Sequence, residues 1–320
     1  MKNKNGVMSV NAIIEKITEQ IQEGIYPGAS LTLYRNGQWS EHYLGLADPE
    51  KEDPVVADLV YDLASVSKVV GVATICAFLY AKGELSLDRP FKELYPPFAH
   101  EKTTIRELLT HTSGLDPFIP NRDQLDARQL KTALENLQLK EDKSFHYTDV
   151  NFLLLGFWLE DRFHQPLDRL FEELIFTPWK MTETRFGPVE KAVPTVRGLA
   201  SGSVHDPKAR VLGCHAGSAG LFSTVADLER FLEHYLKDDF ARDLSQNFAR
   251  EEGKNRALGW NLEGDWLDHT GYTGTFIMYN RKRQEAVIFL SNRTYEKDER
   301  AQWILDRNSL MDLIKQEFEK

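Results

Sequence analysis

The sequence predicts a mixed α/β fold of the α+β kind, with one antiparallel sheet built from both ends of the chain, helices flanking it, and a mostly helical segment inserted between. Three observations carry this expectation. An amphipathic helix followed by a hairpin pattern opens the chain; short extended runs and a final helical run close it; and about 200 residues between them are dominated by helical periodicity.

Residues 10–21 place Ile13, Ile14, Ile17 and Ile21 on one helical face with charges between them. Pro27-Gly28 ends that helix, residues 29–34 alternate, Arg35-Asn36-Gly37 is a turn signal, and residues 38–46 resume an extended pattern. Helical spacing governs residues 69–81, 104–109, 150–162 and 226–236, with Ser223 or Thr224 as the cap of the last. A meander is expected over 258–262, 266–270, 275–279 and 286–291, with turns at 263–264, 271–274 and 280–283. A helix over 302–318 follows. The expected division is an α/β subdomain from 1–80 and 205–320, a helical subdomain from 81–204, and an active site between them. Trp158, Phe163 and Phe171 are core candidates, and Trp260 and Trp266 are read on strands.

Composition narrows the function. In 320 residues, 42% hydrophobic and 28% charged side chains suit a globular protein, and 49 acidic against 39 basic residues leave a charge of −10. That charge disfavours a nucleic-acid partner. Cys76 and Cys214 lie in unrelated settings and suggest no disulfide framework. The N-terminal stretch is broken by Asn11, Glu15, Lys16 and Glu19, so no signal peptide is read, and the apolar window 69–80 is short for a membrane span. A cytoplasmic protein is expected. No P-loop, HExxH, CxxC, dinucleotide GxGxxG or GxSxG elbow occurs, so no metal or cofactor is expected and a standard α/β-hydrolase is disfavoured.

Ser65-Val66-Ser67-Lys68 stands where a buried helix should start. A serine in a first helical turn lies in the positive field of free amides, and a lysine three residues on projects from the same face. Desolvation then favours an amine able to accept the hydroxyl proton. The simple alternative is a capping serine followed by a solvated lysine. Two further clusters add to the first. Tyr147-Thr148-Asp149-Val150-Asn151 precedes the apolar run 152–158, and His269-Thr270-Gly271 closes a late strand, where glycine admits close approach.

In that order and context, the three clusters resemble the serine β-lactamase and penicillin-binding (DD-peptidase) family, closest to the class C branch with its related esterases. The stretches 61–68, 108–115, 204–209 and 216–224 are similar to that family as well, and the resemblance runs from about Gly28 to Asn292. It implies a β-lactamase/transpeptidase-like fold, Ser65 as acylated nucleophile, Lys68 as its hydrogen-bonded partner and Tyr147 as general base. It also implies an oxyanion hole from the backbone amides of Ser65 and Tyr272, and a substrate-binding role for Asp149, His269, Thr270 and Gly271. A phenolate at Tyr147 needs nearby cations, for which Lys68 and a charged His269 are the candidates.

The chain departs from class C β-lactamases at two places. Asp149 replaces an asparagine, which should hold Lys68 as ammonium and leave proton abstraction to Tyr147. His269 replaces a lysine, which should weaken recognition of a penicillin carboxylate. The leading expectation is therefore a serine hydrolase forming an acyl-enzyme on Ser65 and acting on a small ester or amide. A DD-peptidase or β-lactamase acting on a β-lactam or peptide is the enzymatic alternative, and a non-catalytic ligand sensor is the alternative from another class. His111, Thr112 and Ser113 read as a capping turn, Cys214-His215 as a loop near the cleft, and His205 and Asp206 as residues that fix a loop or touch substrate. The loops 118–129 and 204–219 are expected to shape substrate choice. Nothing in the sequence specifies an oligomeric state.

Overall fold

Strands from the two ends of the chain pair with each other. The computed structural model describes residues 10–250 and 254–320; the first nine residues of the stretch read for an export signal lie outside them. α1 (Val10–Gln22) is followed by the hairpin of β1 (Gly28–Arg35) and β2 (Gln38–Asp48), then by β3 (Asp53–Pro54) and β4 (Tyr61–Asp62). Next comes a composite helix: a 3-10 turn at Ala64–Val66, a π-helical stretch at Val69–Ala73 and α2 (Thr74–Ala81). α3 (Phe91–Leu94), α4 (Ile105–Thr110), α5 (Ala127–Glu135), α6 (Val150–Phe163) and α7 (Leu167–Phe171) lead to β5 (Arg185–Phe186), α8 (Pro207–Leu212), β6 (Leu221–Ser223) and α9 (Val225–Lys237). The meander β7 (Asn261–Glu263), β8 (Trp266–Thr270), β9 (Phe276–Asn280) and β10 (Glu285–Ser291) ends in α10 (Arg300–Glu319).

The large sheet has the order β3-β2-β1-β10-β9-β8-β7, with β1 antiparallel to β10 from Ala29 opposite Ser291 to Tyr34 opposite Ala286. Asn36 and Gly37 both take positive φ, 54° and 79°, which lets a two-residue turn follow the twist of the hairpin. Period-two alternation then divides the core. Ala286, Ile288 and Leu290 face the helical interior, whereas Val287 and Phe289 pack with Ile13, Ile17, Leu310 and Ile314 of α1 and α10. Each such burial stabilises by roughly 1.5–3 kcal/mol, so a sheet covered on both faces is a rigid base for a strand-edge site.

Three details differ from the sequence reading. Trp260 is fully buried but lies just before β7, because that strand begins only at Asn261. Phe163 is half-buried at the end of α6, while Trp158 and Phe171 are in the core. The helical run Ala64–Ala81 is longer than its apolar window suggested; its 18 residues have the length and composition of a membrane span, but 78% of it is buried inside the protein.

Candidate active site

Ser65 occupies the 3-10 turn at the amino end of the composite helix, where the first amides have no acceptor within the helix. The sequence predicts a regular α-helical start, and packing changes it. A Cβ at Gly71 would sit 2.4 Å from the Phe171 ring, and the Thr74 hydroxyl donates to the carbonyl of Val69 at 2.6 Å, so the ladder widens over Val69–Ala73. Lys68 is fully buried, and its Nζ donates to Ser65 Oγ at 2.9 Å and to the Ser218 carbonyl at 3.0 Å. Ala64, directly before Ser65, has φ of 46°, a conformation disfavoured for a residue with a Cβ. Asp62 holds it there: Oδ1 accepts from the Ala64 amide at 2.8 Å and Oδ2 from the His205 amide at 2.7 Å. Burial pushes the Asp62 carboxyl up to about 6, with those two amides opposing.

Tyr147 lies on the lead-in to α6 and is held by a residue that the sequence reading took for a capping turn. His111 does cap α4, in the left-handed conformation (φ 58°, ψ 39°), and from there it reaches both sides of Tyr147. Its carbonyl accepts from the His146 amide at 2.9 Å, and its Nδ1 from the Thr148 amide at 3.4 Å and from Asn151 Nδ2 at 3.1 Å. Asn151 is in turn oriented by the Ser113 hydroxyl, which donates to its Oδ1 at 2.7 Å. Burial, reinforced by Arg256, Lys68 and His269, drives the His111 imidazole well below its usual range, so it stays neutral. With Nδ1 accepting, Nε2 carries the proton. Lys68 Nζ stands 5.2 Å from the centre of the Tyr147 ring. Among the described residues the Tyr147 hydroxyl has no protein hydrogen-bond partner, and Tyr147 lines the same cleft as Ser65.

Asp149 meets a partner that the sequence did not reveal. Lys208 Nζ lies 2.8 Å from its Oδ2. Burial raises the Asp149 carboxyl, but Lys208 and then Lys68 outweigh it and hold the group below its usual range, as a carboxylate. Asp206 positions Lys208 by capping α8, its Oδ1 accepting from the Ala209 amide at 2.8 Å, with Pro207 in the first turn. Asp206 and His205 thus fix the loop, through the cap and through Asp62, and both also line the cleft.

The third cluster ends β8. Gly271 donates to the Thr275 carbonyl at 2.7 Å, and a Cβ there would lie 2.1 Å from Thr275 Oγ1 and 2.6 Å from the Leu63 carbonyl. The Thr273 hydroxyl donates to the carbonyl of Asp62 at 2.9 Å and the Thr275 hydroxyl to that of Leu63 at 3.1 Å. These contacts press the turn carrying Tyr272 against the segment that precedes Ser65. His269 corrects an expectation: it is 1% exposed, and burial, with Lys68 and Arg256 adding, drives it well below 6.5, so it is not the cation beside Tyr147. That position falls to Arg256, which is fully buried, pushed by burial to about 10 against the opposing pull of Tyr147 and Asp268, and bonded to the Gly259 carbonyl at 2.9 Å and to Asn261.

Ser65 and Tyr147 thus sit between two hollows, of about 220 Å³ on the His269 side and about 570 Å³ on the Asp149 side. Pro117 and Arg122 from the loop after α4 help line the larger one. Cys214 and His215 line neither: His215 Nδ1 pairs with Glu160 at 2.6 Å, and Cys214 borders a separate surface hollow with Asp168.

A family model described as Beta-lactamase matches residues 13–310. A protein of Escherichia coli (strain K12), whose name assigns it provisionally as a D-alanyl-D-alanine carboxypeptidase, is 27% identical over 90% of this chain and 83% of its own. Among solved structures, a β-lactamase/D-alanine carboxypeptidase from Pseudomonas syringae superposes with a TM-score of 0.74 at 20% identity, covering 93% of this chain and 97% of that one. A class C β-lactamase from Rhodobacter sphaeroides superposes with a TM-score of 0.71 at 21% identity, covering 95% and 99%.

Proposed function

The chain belongs to the β-lactamase family and is a serine hydrolase, and from that premise we propose that it works through an acyl-enzyme on Ser65, with a small ester or amide as substrate. The observation that carries this reading is the 2.9 Å hydrogen bond from the buried Lys68 amine to Ser65 Oγ. Ser65 Oγ attacks the carbonyl while its proton passes to the Tyr147 phenolate, for which Lys68 and Arg256 supply positive charge. The amides of Ser65 and Tyr272 receive the developing oxyanion. Tyr147 then protonates the leaving oxygen or nitrogen, a water attacks the acyl ester with its proton passing to Tyr147, and Tyr147 returns that proton to Ser65 Oγ as the acyl–oxygen bond breaks. Asp149, tied to Lys208, keeps a negative charge near Lys68.

A second reading, a carboxypeptidase or β-lactamase, is favoured by the names of the relatives. The two separate by product. A fluorophosphonate should add once to Ser65 by intact mass, and Ser65→Ala should remove the adduct. A burst with p-nitrophenyl acetate and negligible nitrocefin turnover fits the esterase; the reverse ratio, or release of D-alanine, fits the second reading. No adduct with a fluorophosphonate or a fluorescent penicillin overturns both.

A further inference from the structure

Asp62 ends β4 and is only 2% exposed, yet among the described residues no cation pairs with its carboxylate. Its three oxygens serve three segments instead. Oδ1 accepts from the Ala64 amide at 2.8 Å, Oδ2 from the His205 amide at 2.7 Å, and the backbone carbonyl from the Thr273 hydroxyl at 2.9 Å.

Two walls of the cleft depend on the side-chain pair of bonds. Ala64 has φ of 46°, which an alanine leaves unless it is held, and the peptide between Ala64 and Ser65 carries the amide assigned to the oxyanion. On the other side, His205 leads into Asp206 and Pro207 at the start of α8, which presents Lys208 to Asp149. An ionised carboxyl accepts fully from both amides; a neutral one turns half of its face into a hydroxyl and weakens its hold on both.

The groups that face this carboxyl are few. The α8 side brings the charge of Asp206, which raises it, and of Arg210, which opposes, while burial holds the His205 ring below its usual range. β6 runs alongside with Leu221, Phe222 and Ser223, the Thr273 turn offers a hydroxyl, and the helix start offers the Ala64 amide, so none of these adds a charge. Burial prevails and lifts the carboxyl from 3.8 to about 6. A carboxyl raised on folding contributes its stability below its unfolded value and gives it up as pH rises through the folded one. Ionising Asp62 therefore costs stability while it completes the site.

We propose that Asp62, as a carboxylate, is a positioning residue for acylation, setting the direction of the Ser65 amide through Ala64 and the place of Lys208 through His205. The proposal rests on the reading of Ser65 as nucleophile. The form of the enzyme that acylates is then the one with Asp62 ionised.

Fluorophosphonate labelling of Ser65, followed by intact mass from about pH 4.5 to 8, measures acylation directly. The wild-type rate should fall below pH 6, approaching about tenfold per pH unit. Asp62→Asn should label at least about tenfold more slowly at pH 7.5 and lose that limb. Thermal melting should run the other way: between about pH 4 and 6 the wild type should lose Tm relative to Asp62→Asn while its rate rises, a divergence that a merely structural carboxylate would not produce. Ala64→Gly added to Asp62→Asn should restore labelling at least about threefold, because glycine takes a positive φ unaided. The same double variant, relieved of that strain, replaces Asp62→Asn in the pH profile if the single variant does not fold. A wild-type rate that is flat through pH 6, a limb that survives in either folded variant, or no gain from Ala64→Gly overturns the proposal. No adduct on the wild type at any pH overturns instead the reading of Ser65, so the two failures are distinguishable.

Discussion

The imidazole of His111 packs against the phenol of Tyr147 with ring centres 4.6 Å apart, while the amides on either side of Tyr147 donate to His111 itself. A single residue, through its carbonyl on one side and its neutral ring on the other, therefore fixes both the height and the tilt of the proposed base. His111→Phe keeps an aromatic ring but strips the acceptor, leaving the Thr148 amide and the Asn151 side chain unpaired at a cost of about 1–3 kcal/mol. Ester kcat should fall about 10- to 100-fold while KM stays within a few-fold. Unaltered kcat in a folded variant would reduce His111 to a helix cap.

Gly271→Ala tests the pressed turn. A methyl group cannot occupy space 2.1 Å from Thr275 Oγ1 and 2.6 Å from a carbonyl oxygen, so the Tyr272 amide must move away from Ser65. Acylation should drop about 100- to 1000-fold, the scale of losing one oxyanion donor. Single-turnover labelling measures it, and wild-type rates would remove Tyr272 from the mechanism.

Asp149 and Lys208 form a pair that is only partly exposed, so removing one member leaves a charge with a poor environment. Lys208→Met should cost about 1–3 kcal/mol in urea unfolding at pH 7, and adding Asp149→Asn should recover part of it. Because the Asp149 carboxyl is held below its usual 3.8, its contribution is present above that pH and lost as the folded group protonates on acidification. The gap between wild type and Lys208→Met should therefore narrow below about pH 4. A gap independent of pH would show that the pair is not its origin.

His269 titrates near 6.5 when unfolded but stays neutral in the folded chain, so its share of stability is full above pH 6.5 and declines as pH falls. Relative to His269→Gln, the wild type should lose up to roughly 1.4 kcal/mol per pH unit between pH 6.5 and 5.5. For the same reason, the rate profile should show no limb at 6.5 that His269→Gln abolishes. Finding such a limb would mean that the imidazole is charged at work.

Those features readable from sequence are local ones. Ser65 and Lys68 are three residues apart on one face, Gly37 and Asn36 announce their turn, and β10 alternates between two apolar layers, so spacing alone suffices. What escaped depends on distance in space. His111 acts on Tyr147 only because a left-handed cap turns it there, Lys208 meets Asp149 across two elements, and Arg256 sits in a segment without periodicity. The charge of His269 was misjudged because burial, not residue type, decides it. The widened helix after Lys68 follows from the packing of Gly71 on Phe171, a contact between distant segments.

The seam between β1 and β10 joins an early strand to a late one. Asp62 and Leu63, just ahead of Ser65, are held by the hydroxyls of Thr273 and Thr275 in the late meander, so the local shape around Ser65 is a long-range property: it exists only once segments about 200 residues apart in sequence have docked, however strongly the helix that follows favours its own conformation.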